Sequence, residues 1–253
     1  MAPDVEFTGE RTVPGKTVEA LFREHEERYV FAGQYVAGKD VLDVACGTGV
    51  GTSFLREAGA RRLWGFDIDS DAIAFAKARY GDCEFVQSDA SDLCLPDSSV
   101  DVVVSFETLE HLKDQGRFLA ECRRVLRPGG LLICSTPNLR ISQWGKYNPF
   151  HVREMLPMEF QTLVGGVFAT VQLFAQRNRA YLPYIGRKSM ANILEQLGLK
   201  SWILRILRRE EMKEVLRATF ANSANVLEKN IVPYRPNPFV QPTFLIAVAR
   251  KNP

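Results

Sequence analysis

Apolar and polar residues follow each other along this chain in blocks that predict strands and helices in regular succession. Runs of β-branched and aliphatic residues, the pattern of buried strands, occur near 40–45, 62–67, 84–88, 100–105 and 130–136. Amphipathic helical patterns occur near 17–37, 51–58, 70–79 and 115–126. Strands that alternate with helices are typical of a doubly wound α/β fold, with a mostly parallel sheet covered by helices on both faces.

The alternation breaks after residue 138. Residues 139–156 have the pattern of a loop, followed by a helix near 157–164, a strand near 168–176 and a last strand at 243–250. The stretch 178–240 between these two strands is far longer than an ordinary connection. We predict that it is a helical insert that caps the carboxyl ends of the strands, where ligands bind in open α/β sheets. The alternative is an insert that contacts no substrate.

The insert carries a short basic amphipathic pattern near 201–209. Its apolar side is expected to pack on the domain while its basic side faces water. The alternative is contact with a membrane surface or with an anionic acceptor such as a nucleotide- or lipid-linked sugar.

Size and charge favour one large domain over residues 1–253. The chain is 46% hydrophobic and carries a formal net charge of +2, which gives no reason to expect a nucleic-acid partner. The N-terminal residues have no apolar signal core, and the most apolar stretch, near 160–174, is too short and too interrupted to span a bilayer. We therefore expect a cytoplasmic protein without a transmembrane segment. No feature of the sequence fixes the oligomeric state.

The five cysteines are an odd number and include no Cys-x-x-Cys pair. This spacing predicts neither a zinc site nor a disulfide framework, and we interpret the cysteines as reduced thiols. No metal ligands are predicted from the sequence pattern, although Asp and His side chains around residues 110–151 could come together in three dimensions.

The segment 41–51 carries the clearest chemical signal. A buried strand runs into Asp43 and is followed by the small residues Ala45, Gly47 and Gly49. Glycine lets the backbone approach a ligand closely because no β-carbon stands in the way. A carboxylate just before such a turn would repel a phosphate, but it suits a cationic or amine-bearing ligand.

Two further strands also end in an acid. Asp67 lies 20 residues after Gly47, where dinucleotide-binding folds commonly hold a ribose diol, and Asp89 ends the third strand. Three successive strands thus present Asp43, Asp67 and Asp89. The alternative is that these are ordinary aspartates of turns.

The glycine turn, the ordered acids and the turn Leu126-Arg127-Pro128-Gly129-Gly130 together resemble the class I S-adenosylmethionine-dependent methyltransferases, over roughly residues 38–176 and the last strand. The resemblance implies a seven-stranded, mostly parallel sheet whose final two strands form an antiparallel edge pair. It implies S-adenosylmethionine as the cofactor and S-adenosylhomocysteine as its product. Ala45 stands where many members have glycine.

The resemblance also implies roles for individual residues. Asp43 would lie near the methionine amine, Asp67 would bind the ribose hydroxyls, and Asp89 would meet the adenine amino group. The other cofactor contacts expected from the turn and the strand ends are Ala45, Gly47, Gly49, Ile68 and Ala90.

The N-terminal region is similar to that of bacterial methyltransferases of saccharide assembly, in segments 7–15 and 24–32. The similarity implies that residues 1–37 form an arm and a helix over the cofactor. Arg28 or Arg11 would pair with the methionine carboxylate, and Tyr29 would pack at the same end. The alternative is a solvated arm and helix face. His25, among charged neighbours, is expected to be a solvated surface residue.

Two other histidines are candidate catalytic residues. His111 follows the central strand in a Glu-His-Leu stretch that many family members carry, and His151 lies in Asn148-Pro149-Phe150-His151-Val152-Arg153-Glu154, which resembles a segment of family members that modify sugars and glycans. We predict that His151 is a general base or orients the acceptor. The alternative for both is a structural role in their loops.

These features predict transfer of a methyl group to a small-molecule or saccharide acceptor, at oxygen in preference to nitrogen. Methylation of another acceptor, such as a protein or RNA, is an alternative. A nicotinamide-dependent oxidoreductase would carry Gly-x-Gly-x-x-Gly directly after the first strand, and Asp43 ahead of Ala-x-Gly-x-Gly-x-Gly fits that pattern poorly. A non-catalytic scaffold that keeps the fold is the remaining alternative.

Overall fold

An eight-stranded sheet is the centre of the computed structural model, which describes residues 13, 15, 17, 19–143, 148–180, 231–236 and 240–253. Its strands are β1 (Asp40–Val44), β2 (Arg62–Asp67), β3 (Glu84–Gln87), β4 (Val100–Ser105), β5 (Leu126–Pro137), β6 (Thr170–Ala180), β7 (Ile231–Pro233) and β8 (Val240–Arg250). They lie in the order β3–β2–β1–β4–β5–β8–β6–β7. The first five are parallel, and β8, β6 and β7 pair antiparallel at one side.

The predicted doubly wound, mostly parallel fold is confirmed, but the predicted count of seven strands was wrong. The additional strand, β7, has only three residues and pairs with Phe174–Gln176 of β6 at the edge of the sheet. Such a short segment ending in proline has no recognisable alternation. It lies within the stretch 178–240 that we predicted as the insert.

The same stretch begins and ends in strand, because β6 continues to Ala180 and β8 starts at Val240. Residues 181–230 lie outside the described residues, so the predicted cap and its basic helical pattern stay predictions. The predicted N-terminal arm before residue 13 lies outside them as well.

Six α-helices are described: α1 (Glu19–Gly33), α2 (Val50–Glu57), α3 (Ser70–Arg79), α4 (Gln115–Val125), α5 (Leu139–Ser142) and α6 (Pro157–Gly165). A 3₁₀ turn covers Leu109–His111. α1 is shorter than the predicted 17–37, and α5 lies within the predicted loop 139–156. The Asn138 side chain explains this short helix, because it accepts a hydrogen bond from the Arg140 backbone N–H.

β4 explains how the sheet is buried on both faces. Val103 belongs to the apolar cluster that also contains Phe118 of α4, whereas Val102 and Val104 belong to the cluster on the other face with Phe85. Alternating side chains of one strand therefore supply both layers of the core. All five cysteines are free, and only Cys94 is exposed. Within the described part of the chain, no helix is long and apolar enough to cross a bilayer.

Candidate functional site

A cavity of about 440 Å³ opens at the carboxyl ends of β1 to β4. This is the edge of an open parallel sheet at which ligands bind. The cavity is lined by two residues of α1, by the turn after β1 with the start of α2, and by the ends of β2, β3 and β4 with the segments that follow them. The lining residues are His25, Tyr29, Ala45, Cys46, Gly47, Gly51, Asp67, Ile68, Asp69, Ser88, Asp89, Ala90, Phe106, Glu107, Thr108, His111 and Leu112.

Asp67 is held in place by the turn after β1. The Gly47 backbone N–H donates to Asp67 Oδ2 at 2.8 Å, and the Asp69 N–H donates to Asp67 Oδ1 at 2.9 Å. The structure thus brings the predicted glycine turn and the predicted ribose-binding acid into direct contact. Each carboxylate oxygen can still accept a further hydrogen bond.

Asp89, Ile68 and Ala90, which are three of the predicted cofactor contacts, line the cavity. Asp89 Oδ1 accepts from the Ser91 backbone N–H at 2.7 Å. The Ile68 side chain is 66% exposed at the rim of the cavity, which is an unusual place for a large apolar group. An acid beside an exposed apolar side chain suits a ligand with an amino group on a flat ring.

The glycines of the turn have separate roles. Gly47 lines the cavity, but Gly49 does not, and a β-carbon on Gly49 would lie 2.8 Å from the ring of Phe85 and 2.9 Å from Ala76. Gly49 therefore allows the start of α2 to pack against α3 and β3. Gly51 lines the cavity, although sequence reasoning did not single it out as a contact.

Asp43 lies behind the wall of the cavity. It is fully buried and accepts hydrogen bonds from the Thr52 hydroxyl at 2.7 Å and from the Tyr29 hydroxyl at 3.2 Å. Burial raises the pKa of Asp43 to about 7, and the nearby charge of Asp67 adds to the rise, while the two hydrogen bonds oppose it. Its contact with a methionine amine stays a prediction, since Tyr29 and not Asp43 lines the cavity.

Arg28 does not line the cavity either. Its side chain is fully buried, its Nη1 donates to Gln176 Oε1 at 2.8 Å, and its guanidinium carbon lies 4.6 Å from the centroid of the Phe244 ring. These contacts join α1 to β6 and β8. Pairing with a methionine carboxylate stays a prediction for Arg28, and Arg11 lies outside the described residues.

The expectation that His25 is a solvated surface residue was wrong. His25 precedes Tyr29 by four residues on α1, so the two side chains share one face of the helix and both line the cavity. Burial lowers the pKa of His25 well below its usual value, and the charge of Arg28 contributes. The spacing to Tyr29 was the signal in the sequence that could have indicated this position.

His111 and His151 lie together. Their rings pack edge to face with centroids 4.9 Å apart. His111 Nδ1 donates to the Phe150 carbonyl oxygen at 3.1 Å, and His151 Nδ1 donates to Glu154 Oε1 at 2.5 Å. His111 lines the cavity and His151 does not, so direct contact between His151 and an acceptor stays a prediction.

Glu110 completes a cluster that sequence reasoning did not assign. Its carboxylate is fully buried, and Oε2 accepts from the Thr136 hydroxyl at 3.1 Å. Its Oε1 has no hydrogen-bond partner within the described residues and lies 4.0 Å from His111 Nε2. Burial raises the pKa of Glu110 well above its usual value, and the charge of Glu107 adds to the rise.

Two non-glycine residues of the cavity wall have left-handed backbone conformations. Ala45 has φ 58° at the end of β1, and Glu107 has φ 54° just after the neighbouring β4. Glu107 is held there because its N–H donates to Ser135 Oγ, which in turn donates to Glu107 Oε1 at 2.6 Å. Such conformations are uncommon outside glycine and are concentrated at functional sites.

Comparison with known proteins finds a domain family that matches part of the chain. A family model described as a methyltransferase domain matches residues 42–134, which include the glycine turn, Asp67, Asp89 and His111. A protein of Mycolicibacterium smegmatis named "Probable S-adenosylmethionine-dependent methyltransferase" is 44% identical over 162 residues, 62% of this chain and 63% of that protein. The chain spans about three fifths of the length of this relative and of two similarly named proteins of Mycobacterium tuberculosis.

Two further relatives have names that include a lipid. The fatty-acid O-methyltransferase of M. smegmatis is 40% identical over 114 residues, 43% of this chain and 42% of that protein. Phthiotriol/phenolphthiotriol dimycocerosates methyltransferase 1 of Mycobacterium ulcerans is 36% identical over 129 residues, 48% of each chain.

Solved structures share the fold at low identity. An S-adenosylmethionine-dependent methyltransferase of Archaeoglobus fulgidus superimposes with a TM-score of 0.61 at 20% identity, over 93% of this chain and 96% of that one. The [4+2]-cyclase SpnF superimposes with a TM-score of 0.56 at 18% identity, over 95% of this chain and 84% of that one. Since one of these is named a cyclase, the fold alone does not decide the reaction.

Proposed function

We propose that the chain transfers a methyl group from S-adenosylmethionine to an oxygen of a small-molecule or saccharide acceptor. The proposal is supported by the methyltransferase domain matched over residues 42–134 and by the 44% identity to a protein named as a probable S-adenosylmethionine-dependent methyltransferase. The observation that carries the proposal is the cavity, with Gly47, Asp67 and Asp89 at the ends of β1 to β3 and His111 after β4. One end offers cofactor contacts, and the other offers a basic side chain to an acceptor.

The cofactor end fits the ligand that the family uses. The Asp67 carboxylate, fixed by the Gly47 N–H, would accept hydrogen bonds from two ribose hydroxyls. Ile68 would cover one face of the adenine, and Asp89 would accept from its amino group. Tyr29 and Ala45 would border the methionine part, nearest to the buried Asp43.

S-adenosylmethionine, when bound, supplies a methyl group already activated by its sulfonium sulfur. What the chain must supply is alignment of the acceptor oxygen with that carbon and removal of the hydroxyl proton. His111, in the cavity wall, would carry out the second task. His151, whose ring packs against that of His111 and whose Nδ1 donates to Glu154, would orient the His111 ring. An acceptor oxygen benefits from such a base, whereas an amine acceptor mainly needs to be neutral.

A fatty-acid carboxylate is a second acceptor class. It is supported by the 40% identity to a fatty-acid O-methyltransferase over 114 residues. A carboxylate is already deprotonated at neutral pH and needs no base. Replacement of His111 would therefore reduce transfer to a hydroxyl acceptor much more than transfer to a carboxylate.

Binding of the cofactor is the first test. The purified chain is titrated by calorimetry with S-adenosylmethionine, S-adenosylhomocysteine and NADH. We expect binding of the two sulfur compounds at micromolar concentration and none of NADH. Binding of NADH alone would favour an oxidoreductase, and failure of all three to bind would refute the proposed cofactor site.

The acceptor class is tested with S-adenosylmethionine labelled in its methyl group. Panels of glycosides, nucleotide-linked sugars, fatty acids and primary amines are incubated with the enzyme, and each labelled product is treated with base. Methyl esters are hydrolysed, whereas methyl ethers and methylamines persist. Label in amines alone would contradict transfer to oxygen.

A further inference from the structure

We propose that Glu110, His111 and His151 bind a divalent transition-metal ion. Each residue offers one ligand atom, and the three atoms all lie within 4.8 Å of one another. Ligands at ~2.1 Å from a common ion lie no more than ~4.2 Å apart. Side-chain rotations that move the ligand atoms by on the order of 1 Å would therefore bring all three within bonding distance of one ion.

The buried carboxylate of Glu110 points to a missing positive charge. Its Oε2 has a partner in Thr136, but its fully buried Oε1 has none within the described residues. A buried polar atom without a partner costs free energy, and a buried carboxylate costs most. An ion next to Oε1 and to the ring of His111, 4.0 Å away, would supply the missing interaction.

Both histidines are oriented as metal ligands usually are. A ligating histidine commonly donates its other ring N–H to a carbonyl or carboxylate, which fixes the ring and its tautomer. His111 Nδ1 donates to the Phe150 carbonyl, and His151 Nδ1 donates to Glu154. In each ring Nε2 is the other nitrogen, and in His111 it lies 4.0 Å from Glu110 Oε1.

The backbone also fixes the two parts of the cluster relative to each other. The Glu110 carbonyl oxygen accepts from the Val152 N–H at 2.7 Å and from the Arg153 N–H at 3.1 Å. These bonds tie the 3₁₀ turn that carries Glu110 and His111 to the segment that carries His151. Residues 41 positions apart in sequence are thereby held in one geometry.

The ligand set selects the kind of metal. Two imidazole nitrogens with one carboxylate favour first-row transition ions such as Mn²⁺, Fe²⁺, Co²⁺ or Zn²⁺, whereas sites made only of oxygen ligands favour Mg²⁺ or Ca²⁺. Three protein ligands on one side leave coordination positions open toward water or substrate. Because His111 lines the cavity, these positions would face the acceptor end.

The chemical role of the ion rests on the proposed function. With Nε2 of His111 bound to the ion, His111 would act as a ligand and not as the base. The acceptor hydroxyl would bind the ion and release its proton to water, since a bound cation lowers the pKa of an oxygen ligand. The oxygen would then form a bond to the methyl carbon as the carbon–sulfur bond breaks. The products are a methyl ether and the neutral thioether S-adenosylhomocysteine.

Metal binding is tested independently of catalysis. The full 253-residue chain is freed of metal with a chelator and titrated with Mn²⁺ by calorimetry and with Co²⁺ by visible absorption. We expect one ion per chain, and at least tenfold weaker binding in His111→Gln and in His151→Gln. Glu154→Gln, which replaces the carboxylate that accepts from His151 and from Ser142 by a neutral amide, should weaken binding about tenfold.

The third histidine of the chain provides the matched control. His25→Gln should bind Mn²⁺ as the wild type does, because His25 lies on α1 and outside the cluster. Circular dichroism verifies that each variant is folded, and if His111→Gln does not fold, His151→Gln decides. A wild-type chain that binds no ion at millimolar Mn²⁺ or Co²⁺, or equal binding by all variants, would overturn the site.

The two proposals fail separately. Binding of S-adenosylhomocysteine without any metal binding would refute the metal site and leave the methyltransferase proposal intact. Metal binding that depends on His111 and His151, without binding of S-adenosylhomocysteine, would support the site and refute the proposed cofactor.

Discussion

The ring of Tyr29 fills the space in which a β-carbon of residue 51 would lie, so a side chain of α1 requires a glycine in α2. The Tyr29 hydroxyl donates to Asp43, and its ring packs edge to face against Phe106 with centroids 5.0 Å apart. Tyr29 thus connects the N-terminal helix, the acid of β1 and the segment after β4, while it forms part of the cavity wall.

Gly51→Ala should destabilise the fold although alanine is the better helix former. Its methyl group would overlap the Tyr29 ring, and such overpacking typically costs about 1–3 kcal/mol. Urea denaturation measures the change. Tyr29→Ala removes the obstacle, so the double variant should be less destabilised than the sum of the single variants. Additive effects would show that the ring and residue 51 do not compete for the same space.

Asp67→Ala should weaken binding of S-adenosylhomocysteine about 10–100-fold. The loss corresponds to hydrogen bonds to a charged group, worth ~1.5–3 kcal/mol. Asp71→Ala is the matched control, since Asp71 is an exposed acid nearby on α3 that does not line the cavity. Titration calorimetry on folded variants measures both. Equal affinity of Asp67→Ala and the wild type would remove the ribose assignment.

Asp43 should make stability depend on pH. Its pKa is about 7 in the folded chain against a usual 3.8, so the folded state holds a proton that the unfolded state releases. This contribution to stability is fully present below pH ~4 and is lost as the pH rises toward ~7. The free energy of unfolding of the wild type should fall between pH 5 and pH 8 by on the order of 2 kcal/mol relative to Asp43→Asn.

Denaturation of the wild type and of Asp43→Asn at several pH values checks this prediction. All other titrating groups are the same in the two proteins, so their contributions cancel in the difference. Asparagine keeps the shape of the side chain and does not titrate. Parallel pH profiles for the two proteins would mean that Asp43 has the same pKa in the folded and unfolded states.

Most of the fold could be predicted, because the pattern that indicates each strand or helix lies within the residues of that element. β2 and β4 have the predicted bounds, since a short apolar run between turn residues is visible in any window of sequence. β7 was missed because a three-residue edge strand depends on its partner β6 and not on its own pattern. The short helix α5 was missed for the same kind of reason, because the Asn138 side chain determines its start.

The candidate site was predictable only in part. Gly47, Asp67 and Asp89 could be placed together because parallel strands end at one edge of the sheet. That Asp43 lies behind Tyr29 depends on how α1 packs, which local patterns do not encode. The contact of Glu110 and His111 with a histidine 40 residues away depends in the same way on tertiary structure.

Ala45 offers the last prediction, because it departs from the glycine that many family members have at this position. Its φ of 58° costs a non-glycine residue roughly 1–2 kcal/mol, and glycine would remove that strain. Glycine also gives the unfolded chain more conformational freedom, which offsets about 0.4–1 kcal/mol of that gain in stability. Ala45→Gly should therefore raise the free energy of unfolding by about 0.5–1 kcal/mol.

Ala58→Gly is the matched control, because Ala58 has an ordinary φ of −73° at the end of α2. There glycine brings the cost in the unfolded state and removes a methyl group that packs against the core, so it should lower stability by at least about 0.5–1 kcal/mol. Urea denaturation measures the change in the free energy of unfolding for each variant. A rise for Ala45→Gly with a fall for Ala58→Gly would locate the strain at Ala45, in the wall of the cavity. If both substitutions destabilise equally, the conformation of Ala45 is not strained, and the alanine then has to be explained by its contacts with the bound ligand.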